Sequence, residues 1–254
     1  MNVKEANQIV QDLISSGDVL DAALDLSELT NASGLRLPDE IGTLYLNGLI
    51  TAKGLILPKR VYCELYLSGI TSAEGLALPK SVGDCLFLES LESAVGLTLP
   101  EDLGGLDLSG LTNAVGLKLP ERIGISLWLN GLRNADGLLL PSDVQNIYLN
   151  GLSSPKALKL PNNFEGEIEL NGLTTAEGLI LPSKLKRVSL DGLLTAEGLI
   201  LPSQLETADL NGLTTGVHLS LPEGFSGYLL LAGLPLTEKE SLRKRYPKLE
   251  DKIK

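Results

Sequence analysis

The chain has 254 residues, of which 43% are hydrophobic and only 4% aromatic, a mix that argues against disorder and suits a repeated aliphatic column. From Thr237 onward seven Lys/Arg stand against four Asp/Glu, a local +3, so the formal charge of −11 leaves residues 1–236 with −14. A body that negative repels phosphate backbones, which excludes nucleic-acid binding there.

Val3, Ala6, Ile9, Val10, Leu13 and Ile14 recur at helical spacing and predict an amphipathic helix that Gly17 ends. Residues 1–17 therefore read as an N-terminal capping helix. No apolar run approaches the length of about 18 residues that a membrane span needs. The N-terminus is polar rather than leader-like, so the expectation is a cytoplasmic protein, or one exported without a cleavable Sec signal.

Residues 18–236 are dominated by a motif of the form L-x-L-x-x-L-T-x-A-x-G-L-x-L-P-x-x-Φ that returns every 20 or 21 residues. Units begin at Leu24, Leu44, Leu65, Leu86, Leu106, Leu127, Ile147, Ile168, Val188 and Ala208, with a partial copy at Leu229. Self-similarity at this period predicts a single-domain, mainly β solenoid of about ten coils, each unit burying its apolar side against its neighbours.

The first L-x-L of a unit alternates as a short strand with one buried face. A second L-x-L follows eleven residues later, as at Leu35/Leu37 and Leu55/Leu57, and predicts two short parallel strands per coil. Pairs such as Asn47-Gly48 and Asn171-Gly172 predict a bend with positive φ. The Thr/Ser/Asn position that follows (Asn31, Ser72, Asn113, Thr175) should hydrogen-bond to nearby backbone. Ala next to it predicts a crowded corner; Pro155 and Gly216 are the exceptions. A proline closes each second L-x-L, because it cannot donate to a ladder. All of the 20-versus-21 variation lies between the next apolar residue and the following strand, which marks a loop that tolerates insertion.

At the C-terminus, Thr237-Glu238-Lys239-Glu240 has the capping-box pattern and begins a helix carrying Leu242 and Tyr246 that Pro247 should stop. Residues 237–254 read as the second cap, its basic charge solvated.

Stretches such as Leu37-Pro38-x-x-Ile41-x-x-Leu44-x-Leu46 resemble the L-P-x-x-L-x-x-L-x-L core of bacterial leucine-rich repeats, which occur in secreted effectors of pathogens. The resemblance covers nearly all of residues 24–234. It implies a parallel-stranded solenoid that holds another protein. Two departures are visible: Leu49, Ile70, Leu91, Leu111 and Leu132 stand where that family places a ladder asparagine, and the constant second L-x-L is unusual for it. The chain is thus expected to be a divergent leucine-rich-repeat-like solenoid.

The residue between the first-strand leucines should point outward. It runs Asp25, Tyr45, Tyr66, Phe87, Asp107, Trp128, Tyr148, Glu169, Ser189, Asp209, and takes five of the ten aromatics in the chain. Aromatics on an exposed sheet supply contact area at recognition surfaces, although they also stabilise neighbouring strands. The expectation is a non-enzymatic, monomeric scaffold binding a protein through Tyr45, Tyr66, Phe87, Asp107, Trp128, Tyr148 and Glu169. A carbohydrate stacked on the same aromatics, or a purely structural role, is the alternative. A β-helix enzyme would need clustered acids and bases on one face, which the repeat does not offer. Cys63 and Cys85 form neither a disulfide framework nor a metal-ligand spacing and read as a reduced pair. His218 replaces a turn glycine, and the Asn/Asp turn residues lack the alternating acids of calcium loops. No cofactor, metal or membrane partner is expected.

Overall fold

The computed structural model describes residues 1–254 and is a mainly β, parallel-stranded solenoid of about ten coils, with a helix at its N-terminus and a helix plus a 3-10 turn at its C-terminus. No helix is long and apolar enough to cross a membrane. The chain divides into two compact units, Met1–Trp128 and Leu129–Lys254.

In the first unit, helix α1 (Val3–Ser16) precedes strands β1 (Ala23–Asp25), β2 (Glu40–Ile41), β3 (Thr43–Tyr45), β4 (Arg60–Val61), β5 (Leu65–Tyr66), β6 (Ser81–Phe87), β7 (Asp102–Asp107) and β8 (Ser126–Trp128). Strands β1, β3, β5, β6, β7 and β8 pair in that order, all parallel. Their register sets Leu24, Leu44, Leu65, Leu86, Leu106 and Leu127 side by side, as the repeat period requires. Leu44, Leu46 and Leu49 are fully buried, as are Leu65, Leu67 and Ile70 one coil later. Each such side chain contributes about 1.5–3 kcal/mol through burial, so three per coil is the main cohesive term. The leucines that replace the ladder asparagine of leucine-rich repeats are among them.

Helix α1 is fixed at both ends. Asn2 and Glu5 form a capping box, Glu5 N–H donating to Asn2 Oδ1 at 3.0 Å and Asn2 N–H to Glu5 Oε2 at 2.9 Å. Gly17, at φ 85°, closes the other end in the left-handed region. Ala6 and Val10 are buried. Asn7 straddles the first coil, its Nδ2 donating to Gly34 O at 2.9 Å and its Oδ1 accepting from Arg36 N–H at 2.8 Å.

In the second unit, β9 (Asn146–Tyr148), β10 (Glu167–Glu169), β11 (Arg187–Ser189), β12 (Thr207–Asp209) and β13 (Tyr228–Leu230) pair in sequence order, again parallel. Ile147, Ile168, Val188, Ala208 and Leu229 align. Helix α2 (Leu236–Arg245) docks Leu242 against Gly216, where a Cβ would stand 3.2 Å from Leu242 Cδ1. That contact explains why glycine replaces the alanine of other coils. The 3-10 turn Pro247–Lys252 then delivers Ile253 to a parallel bridge with Leu229.

Three sequence expectations need correction. The second L-x-L of each coil forms no strand: Leu35 N–H turns back to Ala32 O at 2.9 Å, and the proline beyond supplies no donor. Where a second strand does form, it lies downstream, in β2, β4 and the first halves of β6 and β7. The Asn-Gly pairs do not sit at positive φ. Left-handed backbone belongs to the glycine of the A-x-G-L segment, such as Gly54 at φ 75°. Gly69 is needed for closeness instead, since a Cβ there would lie 2.1 Å from Asn47 O. Finally, no capping box forms at Thr237, because the helix begins at Leu236. Pro235 O accepts both Glu238 and Lys239 N–H at 3.0 Å, and the Glu238 carboxylate instead accepts from Gly216 N–H at 3.3 Å.

Candidate binding face

Period-two alternation buries Leu44 and Leu46 and turns Tyr45 outward; the same holds for Tyr66, Phe87, Asp107 and Trp128, all half-buried in the first unit. Strand register places Tyr45 beside Tyr66 and Tyr66 beside Phe87. Their rings stack, with centroids 4.4 Å apart and planes within 10° for the first pair, and 4.5 Å and 7° for the second. Those spacings approach the strand separation of about 4.8 Å, so the rings stand like pages across the sheet. Both faces of Tyr66 are covered by neighbours, and ring edges line the surface. Burial, then the neighbouring Tyr45 and Glu64, push the Tyr66 hydroxyl above its ordinary pKa.

The ladder ends in acids. Asp25, exposed, lies opposite Tyr45 and accepts from Ser27 N–H at 2.9 Å, which holds its carboxyl below the usual range. Asp107 follows Phe87 and accepts from Ser109 N–H at 2.8 Å. The indole of Trp128 leans over Gly105: a Cβ at Gly105 would lie 3.5 Å from its Cζ3 and 2.6 Å from Cys85 Sγ. Glycine is required there by the Cys85 sulfur, while the indole lies at ordinary contact distance. Burial, then Asp84, Glu64 and Asp107, raise the Cys85 thiol pKa.

In the second unit Tyr148, Glu169, Ser189 and Asp209 occupy the same half-buried column. Beside it runs a side-chain ladder that sequence reading took for turn residues alone. Asn130, Asn150, Asn171, Asp191 and Asn211 each accept, through Oδ1, the backbone N–H one coil on (Asn150, Asn171, Asp191, Asn211 and Ala232), at 3.1, 2.9, 3.0, 2.9 and 2.7 Å. The signal was present, because asparagine recurs after the second strand leucine rather than three residues beyond it. Column residues lean on this ladder, Asn150 Nδ2 donating to Glu169 Oε2 at 2.9 Å and Ser189 Oγ to Asn171 Oδ1 at 2.7 Å. Asp209 accepts from Asn211 Nδ2. Where Asp191 replaces asparagine, burial and that second carboxylate push Asp209 up to about 6.

The expected local turns are present: Asn31 accepts from Ser33 N–H at 2.8 Å, Asn113 from Val115 at 3.0 Å and Thr175 from Glu177 at 3.1 Å. The alanine corner is buried throughout, from Ala176 at 0% exposed to Ala114 at 5%. His218 does not take the positive φ of the glycine it replaces, whereas Ala157, in the same position of an earlier coil, does, at φ 63°. Both cysteines are free, and Cys63 is gathered with Glu64 and Asp84, a group that spacing along the chain did not reveal.

An open groove of about 470 Å³ flanks β10 and β11 and is lined by Phe164, Glu167, Lys186, Arg187 and Glu206 among others. Its charges are largely paired, Lys186 with Glu206 at 3.4 Å and Arg187 with Glu167 at 3.8 Å. Comparison of the chain with protein-family models, with curated proteins and with solved structures gave no match.

Proposed function

We propose that this protein is a non-enzymatic interaction scaffold, leucine-rich-repeat-like in kind, that holds a protein partner on its strand face. The observation that carries this reading is the ladder Tyr45–Tyr66–Phe87, bounded by Asp25 and Asp107, with Trp128 beside it over Gly105. Stacked rings hold a rigid apolar surface at little further entropic cost on binding, the property that makes aromatics energetic anchors in interfaces. The acids at the ends of the ladder favour a partner that brings Lys or Arg to an apolar contact. Taken by itself, the Leu129–Lys254 column, with Tyr148, Glu169 and Asp209, offers the same complement to a basic segment. A carbohydrate would need open ring faces to stack upon, and Tyr66 has none, so the geometry favours a protein.

The test is affinity capture from the native source with the Tyr45→Phe, Tyr66→Phe, Trp128→Phe triple variant beside the wild type. This variant keeps ring stacking and removes the two phenol hydroxyls and the indole N–H. A captured partner should bind at least about tenfold more weakly at an unchanged melting temperature. Equal capture by this variant and by Asp25→Lys would rule the face out.

A further inference from the structure

The run from the apolar residue after the proline to the next strand leucine takes three or four positions, and only before Leu65 and Leu86 do two four-position runs follow one another. These two runs carry Tyr62-Cys63-Glu64 and Gly83-Asp84-Cys85. They lie side by side, Asp84 N–H donating to Cys63 O at 2.9 Å. The extra residue bends the chain there, and the pairing of β6 with β7 shifts register between Val82 and Cys85. As a result Cys63 Sγ, a Glu64 carboxylate oxygen and an Asp84 carboxylate oxygen all lie within 4.8 Å of one another.

We propose that Cys63, Glu64 and Asp84 form a binding site for a divalent cation of the zinc class. Bond lengths around tetrahedral zinc place sulfur and oxygen ligands roughly 3.5 Å apart, against a present separation of at most 4.8 Å. One thiolate and two carboxylates carry three negative charges, which more than offset a divalent ion, and leave a fourth position for water. The thiolate selects a borderline-soft ion over magnesium or calcium, which prefer all-oxygen shells.

Two further observations point the same way. Ion pairs of this unit engage Asp39, through Lys59 at 2.6 Å, and Glu28, through the N-terminus at 3.6 Å, and leave the negative charge of Glu64 and Asp84 without a cation. The buried Thr43 Oγ1 donates to Glu64 Oε2 at 2.8 Å, the outer hydrogen bond that orients a carboxylate ligand. Asp84 is exposed and the other two are half-buried, so an ion has a way in. On binding, the Cys63 thiol loses its proton to solvent as the sulfur–metal bond forms. The site is separate from the scaffold reading and survives its failure.

Cobalt(II) titration of the full chain tests the site. One equivalent should give a thiolate-to-cobalt charge-transfer band that zinc displaces, with release of a proton. The band should vanish in Cys63→Ser and persist in Cys85→Ser. Asp84→Asn, at an exposed position that leaves the fold intact, should weaken binding at least about tenfold, and Thr43→Val by a similar factor. Absence of the band from wild type, its survival in Cys63→Ser, or undiminished affinity in Asp84→Asn would overturn the assignment.

Discussion

Single residues here are constrained for reasons that differ between look-alike positions. Gly69 cannot become alanine, because the added Cβ would meet Asn47 O at 2.1 Å. Backbone must move, and Gly69→Ala should cost about 3 kcal/mol or more in urea denaturation. Ala157 presents the converse. It holds φ 63°, a left-handed conformation that costs a non-glycine residue about 1–2 kcal/mol. Ala157→Gly removes that strain at some entropic cost, so a net gain of about 0.5–1 kcal/mol is expected. Denaturation at matched conditions decides it, and a loss of stability would contradict the strain. The sequence pointed to positive φ at the Asn-Gly pairs, where close approach is the actual constraint, because composition alone does not distinguish a dihedral requirement from a close approach.

Between coils, stability comes from columns of like side chains. Tyr66 stacks on two neighbours, and each aromatic pair is worth about 0.5–1.5 kcal/mol beyond burial. Tyr66→Ala should therefore destabilise by roughly 1–3 kcal/mol, while Tyr66→Phe stays within about 0.5 kcal/mol. Binding assays with alanine at this position would confuse folding with recognition. The asparagine ladder responds to pH where Asp191 takes the place of asparagine. Asp209 titrates near 6 in the folded chain against 3.8 for an ordinary aspartate, so the native state holds the extra proton between those values. Stability from this pair is present below the unfolded pKa and lost as pH rises through the folded one. Compared at about pH 5 and about pH 7.5, wild type should lose more stability than Asp191→Asn, which restores the ladder residue. Equal losses in the two proteins would remove the carboxylate pair as the cause. The repeat made the aromatic column legible; ring stacking depended on side-chain rotation, which no periodicity encodes.

In each unit of the molecule a coil contacts its neighbours in sequence, so the effect of a defect should decay along the chain. Hydrogen exchange on Gly69→Ala should show lost protection in β3, β5 and β6 with β11 to β13 unchanged. Uniform loss would mean a single cooperative fold. Coil number and strand register were readable because Leu, Pro and Gly recur at fixed offsets, and the N-terminal helix because Val3, Ala6 and Val10 recur at helical spacing. The second strand was misplaced because an L-x-L pattern reports a buried face, whereas a ladder also needs free donors. The grouping of Cys63 with Glu64 and Asp84 escaped notice for a different reason: these residues come from neighbouring coils, brought together by two successive insertions rather than by proximity along the chain.

Ile253 and Lys254 pair with β13 in a way that bears on assembly. Lys254 N–H donates to Leu229 O at 2.9 Å and Lys254 O accepts from Leu231 N–H at 3.1 Å, the bonds that a further repeat would make. Arg243 Nη2 donates to Ile253 O at 2.7 Å. An incoming strand, another copy of this chain included, must unseat that two-residue latch before it can dock on β13. End-to-end polymerisation from that edge is therefore a competition, decided by how tightly one isoleucine is seated.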